Sequence, residues 1–401
     1  MKVLYILGGI PHYFDTLLKK QQKKGVEIVV VIPQEAKTIG KGVKLVEGNS
    51  YKTILTQEKK MLYGKYAFPK LPEILKEEKP DIVIMGWPYF LQLFFQPKLY
   101  RVIKANKIRL VIREIPFQTP PYNKIKSYFK ENPLYNEDMI CKSKGLRFYL
   151  NQWILMYIRK YAYKKATATL NYTTIAYDIL PSYGILKDNI FVTYNSSDTE
   201  SLLKDRNHVK SIANILPPNK FRLLHIGRLV KWKRVDLLID AVKKIVHLFP
   251  TMQLVIIGTG PEEENLKKQV NDLKLDDHVL FVGGVYDSKE LGAYMNESSV
   301  FVLAGMGGLA INDAMTYGLP IVCSVCDGTE YDLVTEGKNG LFFKNGDVDS
   351  LSDIITKLFL SPDLCQSLGK ESERIIKEKI NIDTVCDRYI DAFEMIMKKS
   401  S

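Results

Sequence analysis

The sequence predicts an α/β protein made of two parallel sheets, each with helices on its faces. Three observations carry that prediction. Short β-rich runs alternate with longer amphipathic segments along most of the chain. The segments between successive runs are long enough for the helical crossovers that parallel strands require. The alternation breaks once, over residues 196–220, where Ser, Asp, Asn and a Pro-Pro pair mark a hinge between two halves. With 401 residues, the chain is long enough for two cores.

Taken in order, KVLYIL, a glycine turn, FDTLLKKQQKKG and VEIVVVIP make a strand, helix, strand unit. DIVIMG at 81–86, IRLVIRE at 108–114, TATLN at 167–171 and NIFVTYN at 189–195 supply further strands of the first half. In the second half the strands are FRLLHIG, QLVIIG, VLFVG, SVFVLA and IVCSV, with helices over VDLLIDAVKKIVHLF and EEENLKKQVNDL. DTVCDRYIDAFEMIMKK has apolar or aromatic residues at helical spacing and closes the chain as a helix. The absence of a heptad array, low-complexity tract or short-period repeat argues against a solenoid.

Composition narrows the function classes. A hydrophobic content of 46% with 25% charged residues is that of a globular protein. No apolar run reaches the roughly 18 to 20 residues of a membrane-spanning helix. The opening MKVLYILGGI reads as a buried first strand rather than an export signal, so a cytoplasmic location is expected. Five irregularly placed cysteines predict no disulfide framework, and Cys323 and Cys326 lack the second pair that a metal site needs. The net charge of +12 is unevenly spread: residues 1–190 hold 32 Lys and Arg against 15 Asp and Glu, a net of +17, and the remainder carries −5. That asymmetry points to an anionic membrane surface, an acidic substrate or a nucleic acid, and no nucleic-acid motif accompanies it.

Three motifs carry chemistry. In LLHIGRLVKWKRVDLLIDAV a strand ends at Gly227, and Arg228 and Lys233 precede a helix, an arrangement that suits a diphosphate. LVIIGTGPEEENL places Gly258 and Gly260 in a tight turn, open either to close ligand approach or to plain packing. AGMGGLAINDAMTYGLP reads as a glycine loop with Gly307 and Gly308, then a helix from Leu309 to Gly318. Asp313, one turn into that helix, is placed to accept hydrogen bonds from sugar hydroxyls, or merely to favour the helix dipole.

Taken in order, GG at 8–9, YNSSDTE at 194–200, GRLVKWK at 227–233, GTGPEEENL at 258–266, GLAINDAMTYGLPIV at 308–322 and EGKNGLFF at 336–343 resemble the family 4 glycosyltransferases, retaining enzymes of the two-domain GT-B fold. The resemblance implies an acceptor-binding domain at 1–195, joined by a returning C-terminal helix at 381–401, and a nucleotide-sugar domain at 196–380. It implies that Arg228 and Lys233 neutralise the leaving diphosphate. Gly8, Gly9, Gly227, Gly258, Gly260, Val282, Gly307, Gly308, Leu309 and Asp313 complete the donor site. Asp313 stands at the second glutamate of the family's E-x7-E motif, and Gly305 stands where the first is usual, so that carboxylate is missing.

The resemblance further implies transfer of a hexose or deoxyhexose from a nucleotide-diphosphate sugar to a glycan or polyprenyl-diphosphate-linked acceptor in bacterial surface polysaccharide synthesis. Configuration is retained by front-face displacement, without metal or other cofactor. Glu114 is expected to orient the acceptor hydroxyl, or else to pair with its neighbour Arg113. His12 is a further candidate beside the Gly8-Gly9 loop. The aromatic segments WPYFLQLFF at 87–95 and KSYFKENPLY at 126–135, with KKQQKK at 19–24, suggest peripheral contact with an anionic inner leaflet, although WPYFLQLFF also reads as core. The alternatives are a nucleotide-sugar epimerase and an inactive binding or scaffold subunit, the latter motivated by Gly305.

Overall fold

The strands of the first half are β1 (Lys2–Ile6), β2 (Glu27–Pro33), β3 (Lys52–Thr56), a small hairpin of β4 (Lys59–Lys60) and β5 (Tyr66–Ala67), β6 (Ile82–Gly86), β7 (Arg109–Glu114), β8 (Ala168–Asn171) and β9 (Ile190–Val192). The second half forms β10 (Arg222–Ile226), β11 (Gln253–Ile257), β12 (Val279–Gly283), β13 (Val300–Leu303), β14 (Ile321–Cys323) and β15 (Gly340–Phe342). This computed structural model describes residues 1–35, 50–61, 64–114, 119–136, 138–209, 215–326 and 328–399.

The chain divides into two units. The first comprises Met1–Leu134, Cys141–Tyr194 and Val385–Ser401, and the second Tyr135–Ile140 and Asn195–Thr384. In the first unit a parallel seven-stranded sheet runs in the order β3-β2-β1-β6-β7-β8-β9. In the second, six parallel strands run β12-β11-β10-β13-β14-β15. The central strands are continuous apolar runs because helices cover both faces: Val3 to Ile6 and Val300 to Leu303 are wholly buried.

The 196–220 segment is not a bare hinge, since Thr199–Val209 is helical, and residues 210–214 lie outside the described residues. The edge strands β3 and β15 are five and three residues long, and no sequence reading placed a strand at either.

The C-terminal helix, Ile382–Met397, begins in the second unit and continues into the first. There Tyr389, Phe393 and Ile396 are buried, Arg109 donates to the carbonyls of Met397 and Lys399, and Lys24 pairs with Asp387.

Candidate functional site

In the second unit the strand order reverses at β10. The chain steps outward through β11 to β12, then returns to β13 on the other side of β10. In open α/β sheets ligands bind outside the carboxyl ends of the strands at such a point, against the loops that leave them. Here those loops are the one after Ile226 and the one after Leu303, which hold half of the expected donor-site residues.

Lys233 ends a short 3-10 turn, Lys231–Lys233, and its Nζ donates to the Gly307 carbonyl at 2.8 Å. Gly308 is close beneath, since a Cβ there would lie 3.3 Å from the same nitrogen. Met306 N–H donates to the Trp232 carbonyl at 2.8 Å, which ties the two loops together. Gly305 is buried in that seam, and any Cβ on it would collide with the backbone of Trp232 and Lys233. No side chain, glutamate included, fits there with this backbone. Arg228 is half-buried two residues beyond β10, and Leu309 is the N-cap of the helix Ala310–Thr316.

Gly258 and Gly260 serve a different end from the one a ligand would give them. A Cβ on Gly258 would strike the Gly227 carbonyl, and one on Gly260 the Leu229 carbonyl. Leu229 N–H donates to Thr259 O at 3.0 Å and Glu262 N–H to Leu229 O at 3.1 Å. The close approach these glycines permit is to the chain's own backbone, which braces the Arg228 loop. Val282 lies on the edge strand β12, two strands removed from β10.

Asp313 sits in the helix Ala310–Thr316. Its Oδ1 is shielded from solvent and has no hydrogen-bond partner among the described residues. Burial pushes the carboxyl from 3.8 up to about 6, with the nearby Ser197 hydroxyl only partly offsetting it. A shielded carboxylate oxygen left unsatisfied is one that a sugar hydroxyl can satisfy.

The sequence reading missed His225, the lone polar residue in the apolar run LLHI. It is fully buried, and its Nδ1 lies 3.1 Å from the Val302 carbonyl, linking β10 to β13. Burial, then the neighbouring Lys233 charge, lower its pKa to about 4, so the imidazole is neutral near pH 7. Asn312, fully buried with neither Oδ1 nor Nδ2 partnered among the described residues, was also missed.

In the first unit the order reverses between β1 and β6, and a cavity of about 560 Å³ opens there. Gly8 and Gly9 line it from the loop after β1, Trp87 from the loop after β6, Arg113 and Glu114 from the end of β7, and Tyr172 from just beyond β8.

Glu114 does not pair with Arg113. Its carboxylate is buried, 3.0 Å from Arg159 Nη2, and accepts a hydrogen bond from the Tyr163 hydroxyl. Successive residues of a strand point to opposite faces, which sends Arg113 the other way, onto the rings of Phe14 and Tyr172.

His12 is the exposed first residue of the helix His12–Lys23, and the cavity lining passes from Pro11 to Tyr13 without it. WPYFLQLFF is mainly core: Tyr89 to Leu93 are buried, and Trp87 and Phe94 are exposed. Among the described residues, no group of three or more His, Cys, Asp or Glu is placed to hold a metal.

Residues 209–375 match the family described as glycosyl transferases group 1. An uncharacterized glycosyltransferase of Haemophilus influenzae is 28% identical over 195 residues, 46% of this chain and 54% of that protein. A GDP-mannose-dependent alpha-(1-6)-phosphatidylinositol monomannoside mannosyltransferase of Mycobacterium tuberculosis is 29% identical over 176 residues, 41% of this chain and 45% of that one. The chain thus spans about half the length of these relatives. The Anabaena protein Alr3699/HepE, solved in complex with UDP, aligns over 98% of this chain and all of its own with a TM-score of 0.67 and 16% identity. That likeness is one of fold, the two Rossmann-like sheets of the GT-B glycosyltransferases.

Proposed function

We propose that the chain is a glycosyltransferase that moves a sugar from a nucleotide-diphosphate sugar to a glycan or lipid-linked acceptor in surface polysaccharide synthesis. The observation that carries this reading is the pair of loops at the carboxyl ends of β10 and β13, where Lys233 is fixed over the Gly307 carbonyl. Asp313, with its unsatisfied Oδ1, is in the helix that follows the same loop. A cation for the diphosphate and an acceptor atom for a ribose are the two things a nucleotide-sugar site needs. The match of residues 209–375 to the glycosyl transferases of group 1 and the fold shared with a UDP-bound protein support it.

In this reading the bond from the anomeric carbon to the diphosphate breaks as the acceptor oxygen bonds to the same face. The acceptor proton passes to a departing diphosphate oxygen. Lys233 and Arg228 stabilise the charge that grows on the diphosphate, with no metal required. The chain's own role is electrostatic and positional, and configuration is retained. Glu114, held by Arg159 and Tyr163, keeps the acceptor cavity's floor in shape, and Gly8 and Gly9 let substrate approach the β1 loop closely. Loop packing by itself accounts for a glycine at 305, so that glycine does not by itself mark a lost active site.

Charge-assisted contacts of this kind are each worth about 1.5–3 kcal/mol. Lys233→Ala and Arg228→Ala are therefore expected to lower transfer kcat/KM by about 10- to 100-fold each, with folding intact by circular dichroism. Full transfer activity in both variants would remove the diphosphate role. The enzyme is further proposed to rest on anionic lipid through its first unit.

A further inference from the structure

Arg113 is the most constrained cation on the cavity wall of the first unit. Its guanidinium packs 4.3 Å from the Phe14 ring and 4.5 Å from the Tyr172 ring, and its Nε donates to the Tyr389 hydroxyl at 3.1 Å. Those three contacts fix the plane of the group. Its two Nη atoms take no protein partner among the described residues, and the residue lines the cavity. A guanidinium held rigid on its face and at one edge, with the other edge open, is organised in advance for a planar or tetrahedral oxyanion.

A second cation lines the same space. Lys65 lies 5.1 Å from the centre of the Trp87 ring and has no carboxylate partner among the described residues. Burial, then the charges of Arg159 and Lys142, hold its pKa below the usual range. Among the described residues the one carboxylate of the lining, Glu114, is already committed to Arg159 and Tyr163. Trp87, whose ring carries both Lys65 and Arg159, and Tyr66 line the same cavity.

We propose that this cavity recognises an acceptor bearing an anionic group, phosphate or carboxylate, with Arg113 as its specificity-determining residue and Lys65 in support. The proposal rests on the glycosyltransferase reading only in calling the ligand an acceptor. Two sources share this chemistry, a lipid-linked diphosphate and an acidic sugar.

The test titrates the full-length protein with farnesyl diphosphate and with glucuronate, each against its neutral counterpart, farnesol and glucose, and repeats the series with Arg113→Gln. At least one anion is expected to bind ten-fold or more tighter than its neutral counterpart, to weaken ten-fold or more in Arg113→Gln, and to weaken as salt is raised. The anion that does so names the source. Equal binding of the neutral counterparts, no binding of either anion, or an anion affinity that Arg113→Gln leaves unchanged would overturn the proposal. If Arg113→Gln fails to fold, Lys65→Ala takes its place, with a three-fold or greater weakening expected and none overturning it. UDP and GDP binding are measured in parallel: their failure with anion binding intact defeats the transferase reading alone.

Discussion

Asp313 carries a cost that a ligand would relieve. Its folded pKa of about 6 lies above the ordinary 3.8, so the folded protein holds this proton more tightly than the unfolded chain does. The burial penalty is absent below the ordinary pKa, grows as pH rises between the two values and is complete above about 6. It amounts to at most ~3 kcal/mol near pH 7. Asp313→Asn is therefore expected to raise stability by ~1–3 kcal/mol at pH 7.5 and to give no gain below pH 4. The same variant should weaken nucleotide binding about ten-fold, the loss of one hydrogen bond to a carboxylate. Wild-type nucleotide affinity should fall as pH drops through about 6, because the protonated carboxyl accepts less well. Thermal unfolding against pH, with nucleotide titrations at pH 5 and 7.5, decides it; an Asn variant no more stable at pH 7.5 would show that the carboxylate is not held at a cost.

At the scale of elements, β7 sends its last two side chains to opposite uses, Arg113 to the cavity wall and Glu114 to a buried pair with Arg159. Breaking such a pair costs more than replacing it, because the surviving charge stays buried. Glu114→Gln should cost ~3 kcal/mol of stability in the first unit, and Glu114→Leu with Arg159→Met should cost less than the single change. Denaturant unfolding of the three proteins measures this. A double variant less stable than Glu114→Gln would assign the pair a net stabilising role.

Glu114 also marks where the sequence stops being legible. Strands β6, β7, β10 and β11 could be read from local apolar runs, and Lys233 from its place between a strand and a helix. The partner of Glu114 lies 45 residues away, and the backbone that excludes a side chain at Gly305 belongs to a turn some 70 residues earlier. No local pattern encodes such meetings. His225 was legible in principle, as one polar residue in a buried strand, since such a group must find a partner.

Over the whole molecule, the positive charge gathers where acid is absent. Residues 139–177 contain seven Lys and Arg and no Asp or Glu, a signal the sequence reading passed over. The helix Gly145–Tyr163 lies within this stretch and leaves Leu146, Leu150, Ile154 and Tyr157 exposed at spacings of four, four and three. That spacing puts them on one stripe, with Lys142, Lys144 and Arg147 exposed beside its N-terminal end. An exposed apolar stripe beside basic residues suits the interface of an anionic bilayer. Three basic residues near an anionic surface contribute about 1 kcal/mol each, enough for roughly 100-fold tighter binding than to a neutral bilayer. The protein should therefore sediment with phosphatidylglycerol-containing vesicles but not with pure phosphatidylcholine, and high salt should release most of it. Leu146→Ser with Leu150→Ser should lower vesicle binding about ten-fold or more, since each leucine contributes up to ~1.5–3 kcal/mol when buried. Equal sedimentation with both lipids would place the charge elsewhere in function, and an unaffected double variant would mean that a different surface of the first unit meets the lipid.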